Sequence, residues 1–215
     1  MADDRGGRQG GEPLAPVIAV AIVVALIGVL LLPSLHQENA GSVNGANILG
    51  SSKDVLCYGC TEDAPYPMLL FLELVVAVGG LLVGFGLCFR GEGRVVIGRT
   101  VALVAAGLIL LWAPLQTQGD GRPIAIVPVF VLLGIGALVL AVVAVRRSRS
   151  RWVGVTRAVV LAVATIALAT VPPTRGNMAF TYDRLVWGYV VAIVATVVAT
   201  IVAIAAVGSR ETASA

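Results

Sequence analysis

Charge is the scarcest property of this 215-residue sequence: Asp, Glu, Lys and Arg account for 13% of the residues, while apolar residues account for 58%. Soluble domains carry about 25% charged and about 45–50% apolar residues. A chain with so few charges would not stay monomeric in water. The composition therefore predicts a protein that is embedded in a lipid bilayer.

Lysine and histidine are almost absent, since Lys53 and His36 are the only examples. No patch of Arg and Lys with interleaved aromatic residues is present, which excludes nucleic acid as a partner. One histidine cannot supply two axial ligands to a haem, and the chain has no P-loop, H-E-x-x-H or G-x-S-x-G motif. We predict no cofactor, no metal and no catalytic residue. The absence of these motifs favours a protein that is not an enzyme, and it leaves the question of enzymatic activity open.

Long apolar runs are what the sequence has in quantity. Each is close to the roughly 20 residues that a helix needs to cross a bilayer, and none alternates as barrel strands do. The sequence predicts an all-α integral membrane protein, a bundle of six transmembrane helices at about 14–32, 68–89, 95–115, 124–145, 152–171 and 185–207. The first run follows two arginines, as a signal peptide would. It is longer than the usual apolar core and no A-x-A cleavage site follows, so we predict an uncleaved helix.

Basic residues predict the orientation of this transmembrane domain, 14–208, because they favour the cytoplasmic side. Nine fall on one side and four on the other. The predicted protein is a multi-pass protein of the cell membrane with cytoplasmic tails at 1–13 and 209–215. Its one long extracytoplasmic loop, 33–67, is expected to form a lid over the outer ends of the helices. The bias towards Arg, Ala, Val and Gly is typical of a GC-rich genome and favours a prokaryotic plasma membrane.

Glu73 is an acidic residue inside the second predicted helix, six residues beyond Pro67. A carboxylate at this depth is costly unless it is paired or protonated. Two interpretations follow: a structural partner for a basic group at the outer rim, or an ion or proton ligand that faces the interior of the bundle.

Arg99 and Arg157 each lie about one turn inside a predicted helix. A long arginine side chain can extend from such a position to the membrane interface. Tryptophan also favours the interface. We therefore predict that both arginines are interface anchors, together with Trp112, Trp152 and Trp187.

The segments Arg99–Pro114 and Arg157–Pro172 have the same length and are offset by 58 residues. Each follows an arginine-containing turn and precedes a short loop with an acidic residue and an arginine. One interpretation of this pattern is a duplicated hairpin formed by predicted helices two and three, then four and five. The alternative is chance, since helices rich in Ala, Val and Leu align easily with one another.

Small residues recur at helical spacing on two predicted helices. Such residues let helix backbones approach closely in a membrane. The predicted packing positions are Gly80 and Gly84 on the second helix, and Ala195, Ala199 and Ala203 on the sixth.

Cys57 and Cys60 form a C-x-x-C pair in the predicted extracytoplasmic loop. That compartment favours disulfides, and the spacing also occurs in thiol oxidoreductases and in half of a zinc site. A membrane thiol relay needs a second cysteine pair, and the only other cysteine is Cys88. We favour a structural disulfide and leave free or partner-linked thiols, redox chemistry and a metal site as alternatives.

The predicted function is that of a small non-catalytic membrane protein, an accessory or scaffold subunit of a membrane complex. Its expected partners are the lipid bilayer and other membrane subunits or a second copy of the chain. One alternative is a small transporter or channel that uses Glu73 in a bundle of repeated hairpins. A second alternative is an extracytoplasmic thiol oxidoreductase acting through Cys57 and Cys60.

The disulfide is directly testable by counting thiols. In the unreduced, denatured protein we expect one reactive thiol, that of Cys88, because Cys57 and Cys60 are bonded to each other. Reduction should raise the count to three. A count of three before reduction would refute the disulfide, and the Cys57→Ser, Cys60→Ser double variant, which should show one thiol under both conditions, is the control.

Overall fold

The computed structural model describes residues 14–32, 35–37, 41–43, 46, 49, 66–89, 94–116, 126–146, 151–170 and 187–212. Six helices lie in these ranges: α1 Ala15–Leu30, α2 Tyr66–Gly86, α3 Arg94–Gln116, α4 Ile126–Arg146, α5 Arg151–Thr170 and α6 Trp187–Thr212. The prediction of six helices is confirmed. Apolar runs of this length are enough to locate the helices in the sequence. The observed helix ends differ from the predicted ones by a few residues.

A short β-hairpin follows α1. Strands β1 Leu35–Gln37 and β2 Gly41–Val43 pair antiparallel, with Leu35 opposite Val43. The sequence analysis assigned this segment only to a loop, because three residues are too few to show a strand-like alternation. Beyond the hairpin, Leu49 packs against the apolar core. The proposed lid over the whole of 33–67 stays a prediction, since most of that loop lies outside the described residues.

Two helices are long and apolar enough to cross a membrane by length and composition, over Trp152–Ala169 in α5 and Trp187–Gly208 in α6. The apolar stretches within the described parts of α1, α2 and α3 are shorter. Helix α1, with 16 residues, rises about 24 Å, which is less than the roughly 30 Å of a hydrocarbon core. The helix count was therefore right, but six membrane spans are not supported by this criterion.

The packing order of the helices differs from their order in the chain. Helix α2 contacts α1, α3 and α5, while α6 contacts α1 and α5. Helices α1, α2, α5 and α6 thus form a closed ring. Helix α3 packs against α2 from outside this ring, and the only extensive contact of α4 with another described helix is with α3. Helix α5 packs on α2 and α6 and makes no extensive contact with α4 among the described residues. The suggested duplication of hairpins stays a prediction.

Glycine lies where these helices approach most closely. A Cβ atom placed on Gly28 of α1 would lie 2.7 Å from the carbonyl oxygen of Gly188 and 3.2 Å from Cβ of Ala192, both on α6. Helices α3 and α4 meet in the same way, since a Cβ on Gly107 would lie 2.8 Å from Leu138 and one on Gly134 would lie 2.6 Å from Leu111. Each contact leaves no room for a larger side chain.

Replacing Gly28 by Ala should destabilise the protein, because the new methyl group meets a backbone oxygen that cannot rotate away. We expect a loss of about 1–3 kcal/mol, the usual cost of overpacking, measured as thermal unfolding in detergent. Gly208→Ala is the matched control, because nothing lies within 4 Å of that position and alanine favours helices. Equal stability of the two variants would contradict the close crossing of α1 and α6.

Candidate functional site

Arg99 and Arg157 are buried inside the protein, with exposed fractions of 3% and 0%. Burial this complete is unusual for arginine. The sequence analysis predicted that both side chains anchor the protein at the membrane interface, and that role stays a prediction. Their burial by protein was not foreseen.

The C-terminal end of α2 explains the position of Arg99. The last carbonyl groups of a helix have no partner within the helix, and the helix dipole places partial negative charge there. Nη1 of Arg99 donates a hydrogen bond of 3.5 Å to the carbonyl oxygen of Phe89, just beyond α2. The ring of Phe89 packs edge-to-face on Phe85, with centroids 4.7 Å apart. Arg99 thus contacts the chain where α2 ends.

Cys88 lies at the same end of α2. Its side chain is buried, and Sγ donates a hydrogen bond of 3.3 Å to the carbonyl oxygen of Gly84. Helix α2 has 21 residues, from Tyr66 to Gly86, which separates its two ends by about 30 Å. Cys57 and Cys60 lie outside the described residues. Among the described residues, no group of three His, Cys, Asp or Glu side chains is arranged to hold a metal ion.

Glu73 is half-buried on α2, next to the buried side chains of Leu74 and Val75. It lies 16 residues before Phe89, a separation of about 24 Å along the helix. The structure therefore keeps Glu73 away from the end of α2 where Arg99 lies. Whether the carboxyl group serves an ion, a proton or a structural partner stays open.

The predicted packing residues all lie at helix contacts. A Cβ on Gly80 would lie 3.0 Å from Cβ of Ala164, and one on Gly84 would lie 2.7 Å from Leu161, so both glycines face α5. On α6, three buried alanines belong to one cluster with Ile18 and Ile22 of α1: Ala195, Ala199 and Ala203.

Hydroxyl groups link α5 to α6 within the apolar interior. Oγ1 of Thr165 donates to the carbonyl oxygen of Leu161 at 2.8 Å and lies 2.9 Å from Oγ1 of Thr200. Because Thr165 uses its one proton on Leu161, Thr200 of α6 is the donor of the bond between the two helices. The carbonyl oxygen of Thr196, also 2.9 Å from Oγ1 of Thr200, is the alternative acceptor of that proton. Sequence analysis missed Thr165, although a threonine at this helical position is the available signal for such a bond.

Tyr189 makes a second link between α5 and α6. Its side chain is buried, and its hydroxyl donates to the carbonyl oxygen of Leu168 near the end of α5. A buried tyrosine hydroxyl needs such a partner. The predicted anchors Trp152 and Trp187, at the starts of α5 and α6, are 77% and 81% exposed, whereas Trp112 is half-buried against the core.

The polar side chains described here do not converge on one pocket. Arg99 lies at one end of α2, Glu73 lies towards the other, and the threonines lie between α5 and α6. No protein-family model, curated protein or solved structure matches the chain. The fold and its packing surfaces therefore carry the functional argument.

Proposed function

We propose that this protein is a small, non-catalytic, multi-pass membrane protein that acts as an accessory or scaffold subunit of a membrane complex. In this proposal all six helices cross the plasma membrane of a prokaryote, and both termini are cytoplasmic. The bound partner is a transmembrane helix of another subunit, which docks on α4.

The outer surface supports a lipid environment. Helices α1, α3, α4, α5 and α6 each carry large apolar side chains that are more than half exposed, among them Val20 at 64%, Leu132 at 69% and Ile166 at 62%. A continuous apolar surface of this kind would drive aggregation in water, whereas lipid solvates it. The described side chains of α2, from Glu73 onwards, include no exposed residue, as expected for a helix enclosed by others.

A glycine faces the neighbouring helix in each extensive helix contact of the described structure. Gly28 serves the contact of α1 with α6, and Gly84 serves those of α2 with α5 and with α1. Gly79 and Gly86 face α3 from α2, Gly107 and Gly134 join α3 to α4, and Gly154 faces α6 from α5. Gly98, Gly136 and Gly208 differ, because nothing lies within 4 Å of the place where a Cβ would be.

Gly136 is the observation that carries the proposal. It lies in the middle of α4, the helix with one extensive neighbour, and Leu132, Leu133 and Val139 around it are 69%, 45% and 54% exposed. Glycine costs about 0.8–1 kcal/mol relative to alanine within a helix, and here no contact within the described chain explains it. A partner helix that crosses α4 at Gly136 would pack against a glycine, as the neighbouring helices inside the protein do.

The test compares two glycines with open surroundings. We expect Gly136→Leu to reduce the amount of the membrane protein that co-purifies from native membranes in mild detergent by at least tenfold, because leucine fills the crossing point. Gly98→Leu should leave it unchanged, since Gly98 is equally open. Native mass spectrometry identifies what is bound.

Three results would contradict the proposal. One is a wild-type protein that is strictly monomeric, at 22.1 kDa, with no bound protein. Another is equal loss of the partner in both variants, and the third is no loss in either. A species at twice the monomer mass would show that the partner on α4 is a second copy of the chain and not a different subunit.

A transporter or channel is the second candidate, favoured by the position of Glu73 on the enclosed helix α2. In purified protein reconstituted into liposomes with an internal pH-sensitive dye, this candidate predicts proton flux under an imposed pH gradient. Glu73→Gln should abolish the flux, because the amide cannot release a proton, whereas Glu73→Asp should retain part of it. Wild-type flux no higher than that of empty liposomes would exclude a proton pathway through Glu73.

The thiol oxidoreductase is the third candidate and has the least support. The side chain of Cys88 is buried and follows the C-terminal end of α2, whereas Cys57 and Cys60 precede the N-terminal end of α2 in the sequence. A relay through all three cysteines would need closer spacing.

A further inference from the structure

Helices α3 and α5 share a sequence pattern that the structure places on equivalent faces. Six of 16 positions are identical between Arg99–Pro114 and Arg157–Pro172 at the offset of 58 residues. Four of these pairs are buried on both helices: Arg99 and Arg157, Leu103 and Leu161, Ala106 and Ala164, Leu110 and Leu168. The fifth pair, Val101 and Val159, is exposed on both, at 61% and 56%.

Both helices present this face to α2. Gly79 and Gly86 of α2 face Leu110 and Leu103 of α3. Gly80 and Gly84 face Ala164 and Leu161 of α5. Leu103 contacts α2 at Gly86, and its equivalent Leu161 contacts α2 at Gly84. The two positions are two residues apart, or about 3 Å along α2.

The correspondence continues into the next helices. Gly107 of α3 faces α4, and Thr165, 58 residues further on, bonds to α6. Gly134 of α4 and Ala192 of α6, at the same offset, are both buried. Ala137 and Ala195 are another buried pair. The repeated unit is therefore α3–α4 and α5–α6, shifted by one helix from the hairpins predicted from the sequence.

We infer that α3–α4 and α5–α6 are two copies of one hairpin packed on two faces of α2, and that Arg99 and Arg157 are equivalent positioning residues that hold the C-terminal end of α2 between them. For Arg99 the contact is the hydrogen bond to Phe89. For Arg157 the position follows from the register. Leu161 of α5 faces Gly84 of α2. Because α2 and α5 run antiparallel, Arg157, one turn before Leu161, lies at the level of Cys88, one turn after Gly84.

The chemistry of this end of α2 suits two guanidinium groups. The carbonyl oxygens of Val83, Gly84 and Phe85 already accept bonds from Leu87 and Cys88, so Arg99 bonds to the next exit carbonyl that is described, that of Phe89. The negative end of the helix dipole also attracts positive charge. A membrane interior offers little water to replace these donors. The clamp formed by the two arginines therefore fixes where α2 ends. This inference stands independently of the proposed partner on α4.

Cys88 is a native reporter of this end of the helix, because its thiol is buried beside the clamp. In a Cys57→Ser, Cys60→Ser background, we would measure the rate at which N-ethylmaleimide labels Cys88 in the folded protein. Arg99→Gln and Arg157→Gln should each raise the rate about tenfold, and by similar amounts. Arg99→Lys and Arg157→Lys should raise it less, because lysine keeps the charge but not the planar set of donors. Arg94→Gln, in the first turn of α3, is the control and should have no effect.

A second reporter separates local loosening from unfolding. Val75 lies on the same helix and is fully buried in the native protein. A Val75→Cys variant that also carries Cys57→Ser, Cys60→Ser and Cys88→Ser has its single thiol at position 75. Its labelling rate should stay at the wild-type level in every arginine variant. The inference is overturned if only one arginine affects Cys88, if Arg94→Gln acts as strongly, or if both reporters are exposed together even in the lysine variants.

Discussion

Close approach to α2 is the constraint on which the rest of the structure depends. This helix has glycines on two faces, Gly79 and Gly86 towards α3, then Gly80 and Gly84 towards α5. In lipid, burying apolar side chains gives little driving force for helix association, so van der Waals contact and hydrogen bonds must hold helices together. Because there is no room for larger side chains on α2 at these points, the glycines fix how closely α3 and α5 pack against α2. Helices α4 and α6 then pack on α3 and α5, and α1 closes the ring.

Hydrogen bonds between helices complete this packing. The hydroxyls of Thr165 and Thr200 join α5 to α6, Tyr189 bonds to the end of α5, and Arg99 bonds to the end of α2. Each uses a carbonyl or hydroxyl that a membrane would otherwise leave without a donor. These hydroxyl groups and Arg99 thus contribute to the arrangement of the helices. Among the described helix residues, Gly136 on α4, like Gly98 and Gly208, has nothing within 4 Å of the place where a Cβ would be.

The sequence predicted well what depends on local composition. Apolar runs located six helices, and small residues such as Gly84 and Ala199 marked packing surfaces. It failed where the answer depends on which helices meet. Arg157 has the same local context as an interface arginine, and its complete burial within the folded chain had no signal in the sequence. The repeat was visible in the pair Leu103 and Leu161, but chain order suggested hairpins that begin one helix too early. Strands of three residues gave no periodic signal at all.

Cysteine cross-linking tests most directly whether α2, and not α4, is the partner of α5. In a cysteine-free background with a protease site inserted between residues 146 and 151, the Gly80→Cys, Ala164→Cys pair should oxidise readily in native membranes. The Cβ positions are 3.0 Å apart, close to the roughly 3.5–4.5 Å of a disulfide. The Ala137→Cys, Leu168→Cys pair, which would join α4 to α5, should not oxidise. After proteolysis, the account predicts that the first pair alone keeps the two fragments together. Cross-linking of the second pair without the first would contradict it.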